Sequence, residues 1–242
     1  MAQELHHPFS SAWALTRAAF HHELRQDGKL AQEWAEALIK LSSEQGFPYW
    51  VAQGRIVRGW ALAEQGQGEE GIKQIQQGMA GAQVTGVEVS RPYHLVLLAK
   101  AYGRTGQGEE GLTVLTEALT VMNKTGERWC EAELYRLKGQ LTLQKFQVSG
   151  SKFQVQESLK SEVRGPELEA EEYFLKAIEI ARKQQAKSLE LRTVTSLSRL
   201  WQSQGKKEQA RQVLAEIYGW FTEGFDTKDL QEAKVLLEEL EI

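Results

Sequence analysis

The residues of this chain that could catalyse a reaction or hold a metal are few, and their spacing argues against both roles. The five histidines are His6, His7, His21, His22 and His94. Two adjacent pairs would suggest a metal site. Helical neighbours point about 100° apart, however, so His21 and His22 cannot close on one ion. No H-E-x-x-H occurs, and His22-Glu23 is only a fragment of it. Cys130 is the sole cysteine. It lies in a helical run with only Arg128 nearby to lower its pKa, so it reads as a buried structural thiol rather than a nucleophile. A single cysteine makes no internal disulfide and no cysteine cluster. It fits a reducing, cytoplasmic compartment.

The paired carboxylates Glu69-Glu70, Glu109-Glu110 and Glu171-Glu172 are of a type that performs acid–base catalysis. They read instead as first-turn residues of helices, where the macrodipole favours negative charge. The string GQGEEG at 66–71 is glycine-rich like a phosphate loop. It follows a helix rather than a strand and carries no Lys, so it reads as a turn between helices. No catalytic residue, cofactor or metal is expected.

The elements behind these residues are helical. Of the 33 acidic residues only Asp27, Asp226 and Asp229 are Asp, and Glu is much the better helix former. The four prolines stand at 8, 48, 92 and 166. A net charge of −4 disfavours non-specific nucleic-acid binding, which needs surplus cations. No apolar run is long enough to span a membrane. The opening MAQELHHPFSS lacks the basic and apolar regions of a signal peptide.

An internal period organises the chain. GQGEEG recurs at 106–111, and Thr85-Gly86 is repeated as Thr125-Gly126. Gly46, Gly86 and Gly126 share this offset of 40, as do Pro8 and Pro48. Each period predicts two antiparallel helices joined by a short glycine turn. Hairpins are expected over 8–45, 47–85 and 91–125. A fourth begins near 127, with its second helix from Glu167, and a fifth covers 187–221. A last helix near 227–240 is expected to cap the array. The single domain 1–242 is interrupted only at about 145–165, inside the fourth hairpin. KFQV recurs there, at 145–148 and 152–155. The segment reads as a flexible, slippage-derived insertion rather than a partner-binding loop, and long turns add little closure entropy.

The residues also resemble a known family. The hairpin at 91–125 places Leu95, Leu98, Ala99, Tyr102, Gly111, Leu115 and Ala118 as the tetratricopeptide (TPR) pattern of small and bulky positions requires. The first hairpin fits worst. The period of 40 exceeds the usual 34, and HEAT-like repeats share it. GWALAEQGQGEEGI, RPYHLVLLAKAYG and YGWFTEGFDTKDLQEAK resemble the C-terminal TPR region of large bacterial signalling proteins. In those, a cyclase or kinase-like domain and an AAA-type ATPase precede the array. The resemblance implies an α-solenoid of five hairpins and a cap, acting as a sensor or scaffold segment. No G-x-x-x-x-G-K-[ST] is present, so no catalytic role carries over.

In this repeat class the first helices line a concave groove. Its predicted positions include Arg25, Trp60, Tyr93, Lys100, Arg136, Gln140, Arg192 and Arg199, with Glu133 the one acid among them. The other tryptophans are expected to fill helix interfaces. The groove is expected to hold a protein or peptide partner, one bearing acidic groups unless several of these arginines pair instead with Glu of neighbouring helices. The alternative is a small anionic ligand in the same groove. RNA binding is disfavoured by the acidic balance.

Overall fold

The computed structural model describes residues 7–87, 89–150 and 165–241. Among these, eleven helices and no strand are present: α1 (Pro8–Leu24), α2 (Gly28–Glu44), α3 (Pro48–Glu64), α4 (Gly68–Val84), α5 (Arg91–Arg104), α6 (Gly108–Thr125), α7 (Glu131–Gly150), α8 (Pro166–Lys183), α9 (Lys187–Ser203), α10 (Lys207–Tyr218) and α11 (Lys228–Leu240). The chain forms two compact units, Met1–Thr125 with α1–α6 and Gly126–Ile242 with α7–α11. Each is an α-solenoid of stacked helical hairpins, as the period predicted.

Starts and stops follow elementary rules. All four prolines sit in the first turn of a helix, α1, α3, α5 or α8, where a missing N–H costs least. The Asp27 side chain accepts a hydrogen bond from the Leu30 N–H at 3.0 Å and caps α2. Most helices are followed by a left-handed residue, and Gly66 and Gly106 have φ of 86° and 76°. At Gly106 the reversal places the Gln107 N–H 3.0 Å from the Tyr102 carbonyl, satisfying an orphan acceptor. Gln26 and Gln185 take the same backbone conformation, at φ 59° and 56°, without the freedom of glycine.

The second helix of each hairpin buries one stripe at a fixed spacing. In α2 it is Ala31, Ala35, Leu38 and Ser42, in α4 Gly71, Ile75, Gly78 and Ala82, and in α6 Gly111, Leu115, Ala118 and Met122. In α8 it is Ala170, Phe174, Ala177 and Ala181. Small residues at the crossings let backbones approach. A Cβ built on Gly71 would lie 2.5 Å from the Gly59 carbonyl oxygen. First helices lie deeper. In α3, α5 and α9 most residues are buried, because neighbours cover both sides.

Three local expectations need correction. Helix α7 begins at Glu131, later than Glu127, and runs on to Gly150. Residues 145–150 are thus helical, and 151–164 of the expected insertion lie outside the described residues. Glu171 and Glu172 sit one turn further into α8, whose first-turn acids are Glu167 and Glu169.

Candidate functional site

The first helices carry the predicted groove residues. In the unit of α1–α6, register places Phe20, Trp60 and Lys100 at the same step of successive hairpins, and Gln53 matches Tyr93. The concave face here is filled from within. The Glu23 carboxylate of α1 is fully buried and accepts hydrogen bonds from the Tyr93 hydroxyl and, at 3.0 Å, from the Lys100 ammonium. These contacts join α1 to α5 across α3. The Phe20 ring lies 6.1 Å from the Tyr93 ring, and the Lys100 ammonium 6.0 Å from its centre. Trp60 and Tyr93 are only 1% and 2% exposed. They are core, not an open aromatic patch. The indole N–H of Trp60 and the side-chain NH2 of Gln53 are buried without a hydrogen-bond partner.

In the unit of α7–α11 the same logic uses other residues. Arg136 donates two hydrogen bonds to Glu133 one turn earlier on α7, at 2.7 and 2.8 Å. Arg192 of α9 donates to both Asp229 oxygens on α11, at 2.9 and 2.7 Å. It also lies 3.5 Å from Glu133. Buried charges must be paired to be tolerated, and both arginines are paired inside the fold. Arg199 is 52% exposed on its side chain and reaches Glu232 at 3.4 Å. Gln140 is exposed, and Arg25 is half-buried at the end of α1.

The predicted basic excess of the groove is therefore largely spent on the chain's own carboxylates. Three of these escaped the sequence reading for a simple reason. Glu23 lies one position beyond the groove register, and Asp229 and Glu232 belong to the capping helix.

Sequence reasoning also missed the exposed tryptophans. Trp13, Trp34, Trp129 and Trp220 are 49%, 39%, 48% and 58% exposed, against the expectation that they fill interfaces. One available signal was position. Phe9, Tyr49, Val89 and Trp129 recur at the period of 40 where first helices begin, on the edge rather than the face of a hairpin. In the first unit, Phe9 packs edge-on against Phe47 and Trp50 at 6.0 and 5.7 Å. In the second, Trp220 packs against Phe221 at 5.1 Å, with the Lys187 ammonium 5.8 Å from its ring.

Catalytic and metal groups are not assembled among the described residues. No group of three or more His, Cys, Asp or Glu is placed to hold a metal. Cys130 is buried. His94 is buried and bonded to the Gln53 side chain at 3.0 Å. Burial, helped by nearby Arg91, pulls its pKa down to about 4. It borders a shallow surface cleft with Met79, Val87 and Arg91, and Arg91 is paired with Glu117 at 2.8 Å. No described helix is long and apolar enough to cross a membrane.

Solved structures supply the fold's relatives. The nearly identical TPR-like repeats of a Podosopora anserina protein assigned as a kinesin light chain match with a TM-score of 0.54 and 18% identity, over 88% of this chain and 95% of that one. A second crystal structure of those repeats matches at 0.52 and 18%, over 88% and 96%. The apo form of RapI matches at 0.57 with 11% identity, over 99% and 86%. The fold is tetratricopeptide-like. No protein-family model matches the chain, and no curated protein matches it.

Proposed function

We propose that the chain is a protein-interaction scaffold holding a protein or peptide partner, and a regulatory segment of a bacterial cyclase or kinase–ATPase signalling system. The scaffold reading rests on one observation above others: four tryptophans stand on the surface of a fold that buries Trp60 and Trp201 completely enough. Trp is enriched among the residues that anchor protein interfaces. The signalling context rests on the sequence resemblance. An acidic partner would meet Arg199 and Gln140 first, since Lys100, Arg136 and Arg192 are engaged by internal carboxylates.

Affinity capture from a bacterial host tests this, using the wild-type chain, the double variant Trp129→Ala/Trp220→Ala, and Arg199→Glu. A partner kept by the wild type and lost by the tryptophan variant supports the reading. Absence of any partner, or capture that neither variant alters, contradicts it. Loss in Arg199→Glu alone moves the partner to the basic rim.

A second reading has its own support. The unpaired donors of Gln53 and Trp60 inside the first unit favour a guest rich in acceptors, such as a small anionic ligand. A thermal-shift screen against anionic metabolites tests it, with Trp60→Phe expected to abolish any shift.

A further inference from the structure

One lysine of the second unit is held by aromatic rings instead of by a carboxylate. The Lys138 ammonium of α7 lies 4.6 Å from the centre of the Tyr173 ring of α8. It lies 6.0 Å from the centre of the Tyr135 ring, one turn earlier on α7. Both distances are within reach of cation–π attraction. The two rings are 6.3 Å apart and inclined at 37°, so the ammonium has a wall on each helix. Among the described residues Lys138 makes no hydrogen bond and no ion pair.

The walls are fixed by packing. Next to Lys138, a Cβ on Gly139 would lie 2.6 Å from Phe174 Cε1, and Phe174 is itself fully in the core. The Tyr173 hydroxyl donates to Glu169, one turn earlier on α8, at 3.0 Å. That bond orients the ring and leaves it electron-rich. The charge of Glu169 also acts on Lys138. Aromatic faces backed by a carboxylate are how proteins hold alkylated ammonium groups.

Other lysines are held by donors they cannot spare. Lys176 and Lys183 donate to Glu179 at 3.0 and 2.6 Å, and Lys187 donates to Glu190 at 2.7 Å. Full methylation would remove those N–H bonds. At Lys138 it removes none, keeps the positive charge, and adds apolar surface against the rings. Acetylation would instead abolish the charge and its attraction to the rings. Burial also pulls the Lys138 pKa below the ordinary lysine value, against an opposing pull from Glu169. That eases the proton loss that alkylation requires. The side chain is only half-buried, so its head can be reached.

We infer that Lys138 is a site of Nζ-methylation by a sulfonium methyl donor, with Tyr135 and Tyr173 as the cage for the methylated ammonium. The lone pair of the neutral amine attacks the methyl carbon. The N–C bond forms as the S–C bond breaks, and the S–C electron pair stays on sulfur as a thioether. One proton passes to water for each methyl gained, so the nitrogen keeps a single positive charge. The product pins α7 to α8 more firmly. This goes beyond the scaffold reading and does not depend on it.

The test installs the modification in the whole chain. The only cysteine, Cys130, is 1% exposed, so Lys138→Cys offers one accessible thiol. Alkylation with bromoethylamine gives a lysine mimic, and with bromoethyltrimethylammonium its trimethyl form. A neutral bromo-dimethylbutane gives an uncharged isostere. Urea unfolding followed by circular dichroism should give the trimethyl form a folding constant about threefold above the lysine mimic, and above the isostere too. Tyr173→Leu should erase that difference. Peptide mapping by mass spectrometry of the unaltered chain from its native cells should find methyl groups on Lys138 and none on Lys176 or Lys183. The inference is overturned if Lys138 is unmethylated or acetylated there, or if the trimethyl form is no more stable than the lysine mimic. It is equally overturned if the isostere stabilises as much, which would make the site apolar packing only, or if the difference survives Tyr173→Leu. None of these results bears on the capture experiment at Trp129 and Trp220, so the two readings fail separately.

Discussion

Two glycines ten residues apart on α4 should respond to the same substitution with opposite signs. Replacing Gly by Ala inside a helix gains about 1 kcal/mol of helix propensity at either site. At Gly81 the new Cβ would meet only the Ala52 Cβ, at 3.5 Å, an ordinary contact. Gly81→Ala should therefore stabilise the chain by about 0.5–1 kcal/mol. At Gly71 the Cβ would lie 2.5 Å from the Gly59 carbonyl oxygen and 2.9 Å from the Ala63 nitrogen. Both are backbone atoms, which cannot rotate away. A carbon–oxygen contact needs about 3.3 Å, so α3 and α4 must separate by roughly 0.8 Å. Overpacking of this kind costs about 1–3 kcal/mol and spoils the neighbouring contact of Gly78 with Ile56 and Ala52. The net expectation for Gly71→Ala is a loss of up to about 2 kcal/mol, placing the two variants roughly 1–3 kcal/mol apart. Urea unfolding followed by helical circular dichroism reads this as midpoints shifted in opposite directions. If Gly71→Ala stabilised as much as Gly81→Ala, the helices would not touch at that crossing and the packing argument would fail.

Other consequences can be checked with the same unfolding assay. Arg192→Ala removes both hydrogen bonds to the Asp229 carboxylate and leaves Glu133 to Arg136 alone, and should cost about 3–5 kcal/mol. The pKa of His94 falls from 6.5 to about 4 on folding. The unfolded chain therefore binds the extra proton between those values, and stability should be full above pH 6.5 and decline as pH drops toward 4. His94→Gln should flatten that decline, which is on the order of 3 kcal/mol. Gln185 holds φ at 56° on an exposed turn. Gln185→Gly should relieve the left-handed strain and stabilise by about 0.5 kcal/mol after the larger chain entropy of glycine is counted.

The period made the architecture legible. GQGEEG and the glycine series marked the turns, and the prolines marked helix starts, because backbone rules act locally and leave their residues in place. The stripes of Ala, Gly and Leu on the second helices were legible for the same reason. The site was less so. Reading groove positions at fixed repeat offsets found Lys100, Arg136 and Arg192 and allowed that the arginines pair with Glu of neighbouring helices, but could not name the carboxylates. Whether a cation is free depends on side chains brought from elsewhere, and Glu23 reaches α5 from α1. Trp60 shows a related limit. Whether a groove position of a repeat is open or packed depends on side chains brought in by neighbouring hairpins, which no single repeat encodes. Trp13 is the reverse case. In the first hairpin, the poorest match to the repeat pattern, a position whose equivalents forty and eighty residues on are buried carries an exposed indole.

The central claim is that the concave faces are filled from within and the aromatic surface lies elsewhere. Hydroxyl-radical footprinting of the intact chain, read residue by residue by mass spectrometry, tests it most directly. The account predicts rapid oxidation of Trp13, Trp129 and Trp220 and strong protection of Trp60, Trp201 and Tyr93. Oxidation of Trp60 and Tyr93 at the rate of Trp220 would mean an open aromatic groove and would contradict it.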